Sequence, residues 1–319
     1  MAAGSPSSRS SSLGPGRRPQ APAGDLHDDV ACLVCGGREP RTVFSMPPYR
    51  IVRCPGCNLV YTLPRLPSEH IREMYQSDYW RSAEAKHFGY TDYLKDAPLY
   101  LRTFRMRSRL VDRYLSSPGR ILEVGCAAGF FLKVMQEKGW ETIGVELSQQ
   151  MVDYARAELA LPDVRSGTLL DQDLEEKSFD AITFWDVVEH LEDPRPTLIR
   201  ARELLKDDGI VIIETQNVES PFAKLMGRRW QHYKFEEHLW HFSKRTLALL
   251  LDAVGFEVRE ASARRGGKYV SLDFVIERAG RIHPVLSHLL RPFRFMGRLA
   301  VYVNPFDEII AVARKKAGL

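Results

Sequence analysis

Apolar residues between positions 116 and 265 occur in two kinds of run. Some runs are short and continuous, which is typical of strands buried on both faces of a parallel sheet. Between them, apolar residues spaced three or four apart predict helices, as in Phe130, Phe131, Val134 and Met135. Alternation of this kind predicts an α/β, doubly wound sheet with helices on both faces. The predicted strands lie at 121–124, 142–145, 179–185, 210–215 and 255–260.

Two further segments extend this pattern. Residues 164–167 are expected to form a brief strand, and residues 307–315 a last, antiparallel strand. Side chains that can accept a hydrogen bond from a helix N-terminus precede two of the predicted helices. We therefore expect N-caps at Asp193 and Ser243.

The run 121–132 reads as a buried strand, a glycine-bearing turn and the first turn of a helix. Its pattern, E-x-G-x-A-x-G from Glu123 to Gly129, differs from the G-x-G-x-x-G turn that binds a pyrophosphate. An acidic residue at the strand end would repel a phosphate, but it suits a ligand with an amino group. The next strand ends in Glu146, where a carboxylate can accept both hydroxyls of a ribose. Adenosine joined to a positive centre describes S-adenosylmethionine.

In these motifs the chain resembles the class I methyltransferases over roughly residues 100–265. The resemblance implies a Rossmann-like sheet of seven strands. It places Glu123 near the methionine amino group, Gly125 to Gly129 under the methionine and ribose, and Glu146 on the ribose. The usual middle glycine is Ala127 here, which adds one methyl group and is a mild departure.

The remaining cofactor contacts are expected from the ends of neighbouring strands. Leu147 follows Glu146, and Thr168 and Leu169 follow the third strand, where they are placed to border the adenine. Asp186 ends the fourth strand and should face the cofactor or the substrate. Cys126 lies in the ligand turn, and we interpret it as a small packing residue and not as a nucleophile.

Four of the five cysteines form two C-x-x-C pairs, which predicts a metal site. In a reducing compartment this spacing indicates a structural zinc ion held by four thiolates, with no coordination position open for catalysis. Two disulfides are the alternative. The predicted ligands are Cys32, Cys35, Cys54 and Cys57.

Composition divides the chain into successive segments. Residues 1–29 are rich in Ser, Pro, Gly, Ala and Arg, and are expected to be a disordered tail. The predicted order is then a zinc ribbon, a helical linker or lid, the methyltransferase core, a helical insertion and the last strand of the core. These segments span 30–64, 65–115, 116–265, 266–304 and 305–319.

The net charge is only +4, from 45 basic and 41 acidic residues, so no general attraction to nucleic acid or to a membrane is predicted, although local patches remain possible. The sequence has neither a signal-peptide pattern nor a run of eighteen apolar residues, and we expect a cytoplasmic protein. The insertion places Arg281, Arg291, Arg294 and Arg298 among apolar residues. Such a helix could cover its own domain or a second subunit, or lie on a membrane where a lipid-linked glycan would be met.

The segment 230–243 is the strongest catalytic candidate, with three histidines, five aromatic residues and two adjacent carboxylates. It resembles the E-H-L-x-x-F-S signature of zinc-ribbon methyltransferases from sugar, polysaccharide and secondary-metabolite pathways. We interpret His238, polarised by Glu237, as the general base that removes the acceptor proton. Alternatively, His238 only attaches the loop to the body of the protein. Glu189 and His190, in the pattern D-x-x-E-H, could act as acid and base, or brace the following helix.

These observations favour methyl transfer to a small molecule or to a sugar or glycan. The chain is too short to hold the further C-terminal domain of the sugar C-methyltransferases, so oxygen is slightly favoured over carbon as the acceptor atom. An RNA methyltransferase is one alternative, but Asp186-Val187-Val188 stands where a base-amino enzyme would carry an Asn/Asp-Pro-Pro-aromatic turn. A module that binds S-adenosylmethionine without catalysis is the other.

Overall fold

The computed structural model describes residues 26–67, 69–70, 73, 76, 80, 93–282 and 284–317. Most of the predicted tail therefore lies outside the described residues. Residues 27–29, at the end of the predicted tail, instead contact other described residues. The backbone of His27 pairs in both directions with Arg65 at 2.8 Å, and Asp28 binds Arg50 at 2.6 Å.

Strands and helices alternate through most of the described chain. The strands are β1 (Arg41–Met46), β2 (Tyr49–Arg53), β3 (Val60–Leu63), β4 (Arg120–Val124), β5 (Glu141–Glu146), β6 (Val164–Ser166), β7 (Phe179–Trp185), β8 (Leu205–Gln216), β9 (Trp240–His241), β10 (Phe256–Ser262), β11 (Lys268–Ser271), β12 (Ala300–Val303) and β13 (Glu308–Lys315). The helices are α1 (Ala97–Tyr114), α2 (Phe130–Glu137), α3 (Gln149–Glu158), α4 (Pro194–Leu204), α5 (Pro221–Met226), α6 (Lys244–Ala253), α7 (Leu272–Ile282) and α8 (Pro284–Leu290).

The central sheet has seven strands in the order β10-β13-β8-β7-β4-β5-β6. The five strands from β8 to β6 are parallel, and β13 lies antiparallel between β8 and β10. Their apolar residues are buried on both faces, as the continuous runs predicted. The predicted fold class is confirmed, and the carboxyl ends of the parallel strands define one edge where ligands bind in such sheets.

Both predicted N-caps are present. The side chain of Asp193 accepts the N–H of Arg195, and that of Ser243 accepts the N–H of Thr246. These bonds satisfy backbone donors that the first helical turn leaves unpaired. Ser243 therefore fixes the end of the segment 230–243 on α6.

The cysteine-bearing segment forms a second sheet, ordered β1-β2-β3-β9. Its fourth strand comes from far along the chain, with Tyr61 paired to Trp240 and Val60 to His241. Arg65 reinforces this junction, since its guanidinium lies 3.8 Å from the centre of the Trp240 ring. The expected ribbon at 30–64 is thus incomplete without residues 240–241.

The linker and the insertion differ in what the structure describes. Within the predicted linker or lid, residues 68–92 lie mostly outside the described residues, while α1 buries Phe104, Leu110 and Val111. The insertion is not only helical, because β11 and β12 pair antiparallel at its two ends. No helix in the described part of the chain has the length and apolar character needed to span a membrane.

Candidate active site

The turn after β4 has backbone angles that favour glycine. Gly125, Ala127 and Gly129 have φ values of +69°, +47° and +80°. A side chain at Gly125 would come within 2.7 Å of Val187, and one at Gly129 within 2.6 Å of Leu161. Ala127 therefore adopts a left-handed conformation, which costs a residue with a side chain about 1 kcal/mol. The sequence predicted only the extra methyl group and not this backbone cost.

Glu123 and Glu146 lie together at the carboxyl ends of the neighbouring strands β4 and β5. Burial raises the pKa of Glu123 well above its ordinary value, and the negative charge of Glu146 raises it further. Oε2 of Glu123 is buried and has no hydrogen-bond partner within the described residues. An ammonium group would relieve the repulsion and donate the missing hydrogen bond, so this pair fits a ligand with an amino group.

The carboxylate of Glu146 also holds the turn in place. One oxygen accepts the N–H of Ala127 and the other the N–H of Ser148, each at 2.9 Å. Burial raises the pKa of Glu146, and these backbone donors oppose that shift. A carboxylate oxygen can accept more than one hydrogen bond, so Glu146 keeps acceptor capacity toward a ribose.

The other residues predicted near the cofactor have mixed surroundings. Cys126 is buried against Leu132 and Val164, as expected of a packing residue. Leu147 is partly buried after Glu146. Thr168 donates its hydroxyl to Asp171 at 2.6 Å, and Leu169 lies inside the main core at 1 % exposure.

Asp186 directly follows β7, has a φ of +54° and faces a cluster of charged side chains. We define the ionic cluster as Asp186, Glu214, Glu308, Arg107 and Lys268. Arg107 binds Glu214, and Lys268 binds Glu308. Within the described residues, Oε2 of Glu214 and Oε2 of Glu308 have no hydrogen-bond partner.

Burial raises the pKa of Glu214 and of Asp186, whereas the pKa of Glu308 is lowered against the effect of burial, chiefly by Lys268. The ionic cluster was not predicted from the sequence. Two features could have indicated it, namely a glutamate within the apolar run of β8 and an arginine on the buried side of α1.

The segment 230–243 is mostly packing. Trp230, Trp240 and Phe242 are at most 2 % exposed. Trp230 donates its ring N–H to Asp307 at 3.0 Å, and His232 lies 3.4 Å from the same carboxylate. These contacts lower the pKa of Asp307 to about 2, although burial alone would raise it.

A backbone carbonyl holds the ring of His238. Its Nδ1 lies 2.8 Å from the carbonyl oxygen of His232. Because a carbonyl can only accept, Nδ1 carries the proton and Nε2 presents a lone pair. Glu237 binds Lys234 at 2.9 Å, and the polarisation of His238 by Glu237 stays a prediction.

The environment keeps His238 neutral. Burial lowers its pKa well below the usual value, and the nearby His190 and Lys234 disfavour a further positive charge. Its ring meets that of His190 edge to face, with the centroids 4.7 Å apart. His241 has a structural contact instead, since its Nε2 lies 3.1 Å from Oγ1 of Thr62 in the ribbon.

Glu189 joins the two histidine-bearing segments. Its carbonyl accepts the N–H groups of Leu239 and Trp240, at 2.9 and 3.3 Å. Its carboxylate is buried, and Oε2 has no hydrogen-bond partner among the described residues. Ligand-type atoms of Glu189, His190 and His238 lie within 4.8 Å of one another, an arrangement that could accept a divalent cation.

The four predicted zinc ligands also come together. Sγ of Cys32 lies 3.3 Å from Sγ of Cys57, Sγ of Cys35 lies 3.3 Å from Sγ of Cys54, and all four lie within 4.8 Å of one another. All are free thiols, which does not agree with two disulfides. Sulfur ligands at about 2.3 Å from a tetrahedral zinc lie a little under 4 Å apart, so this cluster could hold zinc.

The sheet order, the glycine-bearing turn and the paired glutamates together define a class I S-adenosylmethionine-dependent methyltransferase. Residues 93–261 match the family model described as a methyltransferase domain, which covers a little over half of the chain. The chain belongs to this family.

Proteins similar to the chain include two bacterial methyltransferases. Over 130 residues it is 30% identical to a ubiquinone biosynthesis O-methyltransferase of Cereibacter sphaeroides, covering 37% of this chain and 53% of that protein. Over 206 residues it is 27% identical to a probable S-adenosylmethionine-dependent methyltransferase of Mycolicibacterium smegmatis, covering 61% and 76%. The chain spans about half the length of the ubiquinone enzymes that it matches.

The solved structure is the complex between the Haloferax volcanii Trm112 methyltransferase activator and the putative methyltransferase. It has a TM-score of 0.50, is 17% identical, and the match covers 70% of this chain and 94% of that chain. At this identity the likeness shows the fold alone.

Proposed function

We propose that this enzyme methylates a hydroxyl oxygen of a small molecule or of a sugar or glycan, with His238 as the general base. The observation that carries the proposal is the bond from Nδ1 of His238 to a backbone carbonyl. That bond leaves Nε2 as a lone-pair acceptor in a buried site at the carboxyl edge of the sheet. The similarity to O-methyltransferases supports oxygen as the acceptor atom.

The chain's residues divide the work of the reaction. Glu123 and Glu146 would hold the amino and ribose ends of S-adenosylmethionine, which supplies the methyl group as an electrophile. Nε2 of His238 would take the hydroxyl proton and become positively charged as the acceptor oxygen bonds to the methyl carbon. The carbon–sulfur bond of the donor would break in the same step, which leaves the neutral thioether S-adenosylhomocysteine. The carbonyl of His232 keeps the ring in the orientation and tautomer that this transfer needs.

The ionic cluster supports an acceptor with several hydroxyl groups. Oε2 of Glu214 and Oε2 of Glu308 each lack a hydrogen-bond partner in the described part of the chain, although Arg107 lies 3.8 Å from Oε2 of Glu308. A carboxyl oxygen can accept a hydrogen bond. Hydroxyl donors of a sugar would satisfy these oxygens. Arg107 and Lys268 offset part of the negative charge, so the cluster does not require a cationic acceptor.

We also propose that the four cysteines hold a structural zinc ion. Four thiolates complete a tetrahedral shell, so the metal would organise the ribbon and leave the methyl transfer to other residues.

The proposal is tested with labelled S-adenosylmethionine and a panel of nucleotide sugars, lipid-linked sugars, small phenols and RNA. We expect label in an acid-stable, base-stable ether of one hydroxylated acceptor, identified by mass spectrometry. Label only in RNA would overturn the acceptor class, and a protein that binds the cofactor but transfers no label to any acceptor would be a binding module. Assays with and without a chelator distinguish base catalysis from a cation held by Glu189, His190 and His238.

Replacing Glu146 by glutamine is expected to weaken S-adenosylmethionine binding by about tenfold to a hundredfold, because hydrogen bonds to a charged group contribute roughly 1.5–3 kcal/mol. Isothermal titration calorimetry measures the change. The control is Glu141→Gln, at the exposed opposite end of the same strand. Equal affinities of the two variants for S-adenosylmethionine would show that Glu146 does not bind the ribose.

A further inference from the structure

The insertion presents a group of large apolar side chains to solvent. We define the insertion face as Val285, Leu289, Phe293, Phe295, Met296 and Leu299. Phe295 is 84% exposed, Leu289 66% and Val285 55%. Single exposed apolar residues are common on protein surfaces, but six within fifteen positions indicate an interaction surface that is covered by other apolar groups.

The insertion face is also strongly basic. Between Glu277 and Asp307 the sequence holds five arginines and no acidic residue. Arg291, Arg294 and Arg298 lie among the apolar side chains and are exposed. Within the described residues, no ion pair involves any of these three guanidinium groups.

This combination favours an anionic lipid surface over a second copy of the chain. A twofold dimer would place the same basic face opposite itself, so that the arginines would repel one another. A bilayer with acidic headgroups offers hydrocarbon to the phenylalanines and negative charge to the arginines at the same depth.

Backbone hydrogen bonds connect the insertion face to the start of α7. The N–H of Leu272 bonds to the carbonyl of Leu299 at 2.9 Å, and that of Asp273 to the carbonyl of Gly297 at 3.0 Å. Strand β11, which pairs with β12, is held to α1, because the N–H of Tyr269 donates to Oγ1 of Thr103 at 2.9 Å. The segment therefore needs no refolding to present its side chains.

Strand β11 also contacts the ionic cluster. Lys268 in β11 binds Glu308 at the start of β13, close to Asp186 at the carboxyl edge of the sheet. The insertion face and the acceptor side of the cleft are therefore parts of one connected unit.

We propose that the insertion face docks the enzyme on an anionic membrane surface, with the phenylalanines at the acyl boundary and the arginines at the headgroups. The docked enzyme would then take an acceptor carried by a lipid, an inference that rests on the proposed function.

The test is sedimentation of the full chain with vesicles of phosphatidylcholine alone or of phosphatidylcholine mixed with phosphatidylglycerol. We expect binding only to the anionic vesicles and a loss of binding at high salt. The triple variant Arg291→Gln, Arg294→Gln, Arg298→Gln should bind on the order of a hundredfold more weakly, since each arginine near the surface contributes about fivefold. Phe293→Ser with Phe295→Ser should also lose binding.

The matched control is Leu225→Ser, which removes a leucine that is 80% exposed on α5 and should leave vesicle binding unchanged. Circular dichroism establishes that every variant is folded. Equal binding to both kinds of vesicle, or no binding to either, would overturn the proposal. So would a dimer, seen by light scattering, that the phenylalanine variant dissociates. Because these measurements involve no methyl transfer, their failure is distinct from failure of the proposed reaction.

Discussion

Replacing His238 by glutamine is expected to lower kcat by about 10²- to 10⁴-fold, the usual contribution of a general base. The affinity for S-adenosylmethionine should change little, because the paired glutamates that we assign to the cofactor lie on other elements. Glutamine keeps a donor for the carbonyl of His232 but cannot take a proton at neutral pH. Single-turnover rates and calorimetric titration measure the two quantities separately.

His241→Gln is the matched control in the same segment. His241 is equally buried but contacts Thr62 of the ribbon. This substitution should reduce the free energy of unfolding and leave the single-turnover rate of the folded enzyme near that of the wild type. Equal losses of rate in the two variants would mean that the segment fails as a scaffold, and His238 would not be the base.

The pH dependence gives a second check on His238. A base is active when it is neutral, so an ordinary histidine loses half of its activity as the pH falls to about 6.5. Burial, with the neighbouring charges, lowers the pKa of His238 well below that value. The rate should therefore stay level from pH 8 to about 6 and fall only in stronger acid. A midpoint near 6.5 would contradict the buried, neutral base.

Cys35→Ser is expected to release the zinc ion and to reduce the free energy of unfolding by several kcal/mol, since structural zinc contributes about 10–16 kcal/mol in zinc-finger peptides. Cys35 is the exposed member of the cluster, so the substitution removes little packing. The loss should extend beyond the ribbon, because Cys32, Cys54 and Cys57 share one apolar core with the central strands. Metal analysis and denaturant unfolding measure both effects.

Cys126→Ser is the control for this prediction. Cys126 is buried at 3 % exposure beside Leu132, away from the four thiols, so its replacement should leave one zinc ion per chain. A wild-type protein that contains no zinc, or a Cys35→Ser variant that keeps it, would show that the cluster does not bind the metal. Destabilisation of the wild type by a reducing agent alone would instead favour disulfides.

Features that depend on neighbours along the chain could be predicted from the sequence. The continuous apolar runs gave the buried strands, and the spacing of oxygen-bearing side chains gave the N-caps at Asp193 and Ser243. The two C-x-x-C pairs predicted their own cluster. Glu123 and Glu146 could be placed together because the carboxyl ends of adjacent parallel strands meet at one edge.

Contacts between distant parts of the chain could not be predicted and became visible in the folded structure. There Trp240 and His241 join the ribbon, and the ring of His238 contacts the carbonyl of His232. The fold also brings Arg107 to Glu214 and Lys268 to Glu308. Periodicity reports which face of a helix or strand is buried, but it carries no information on which distant residue will face it. Burial then decides the charge of each group, and burial exists only once the whole chain has folded.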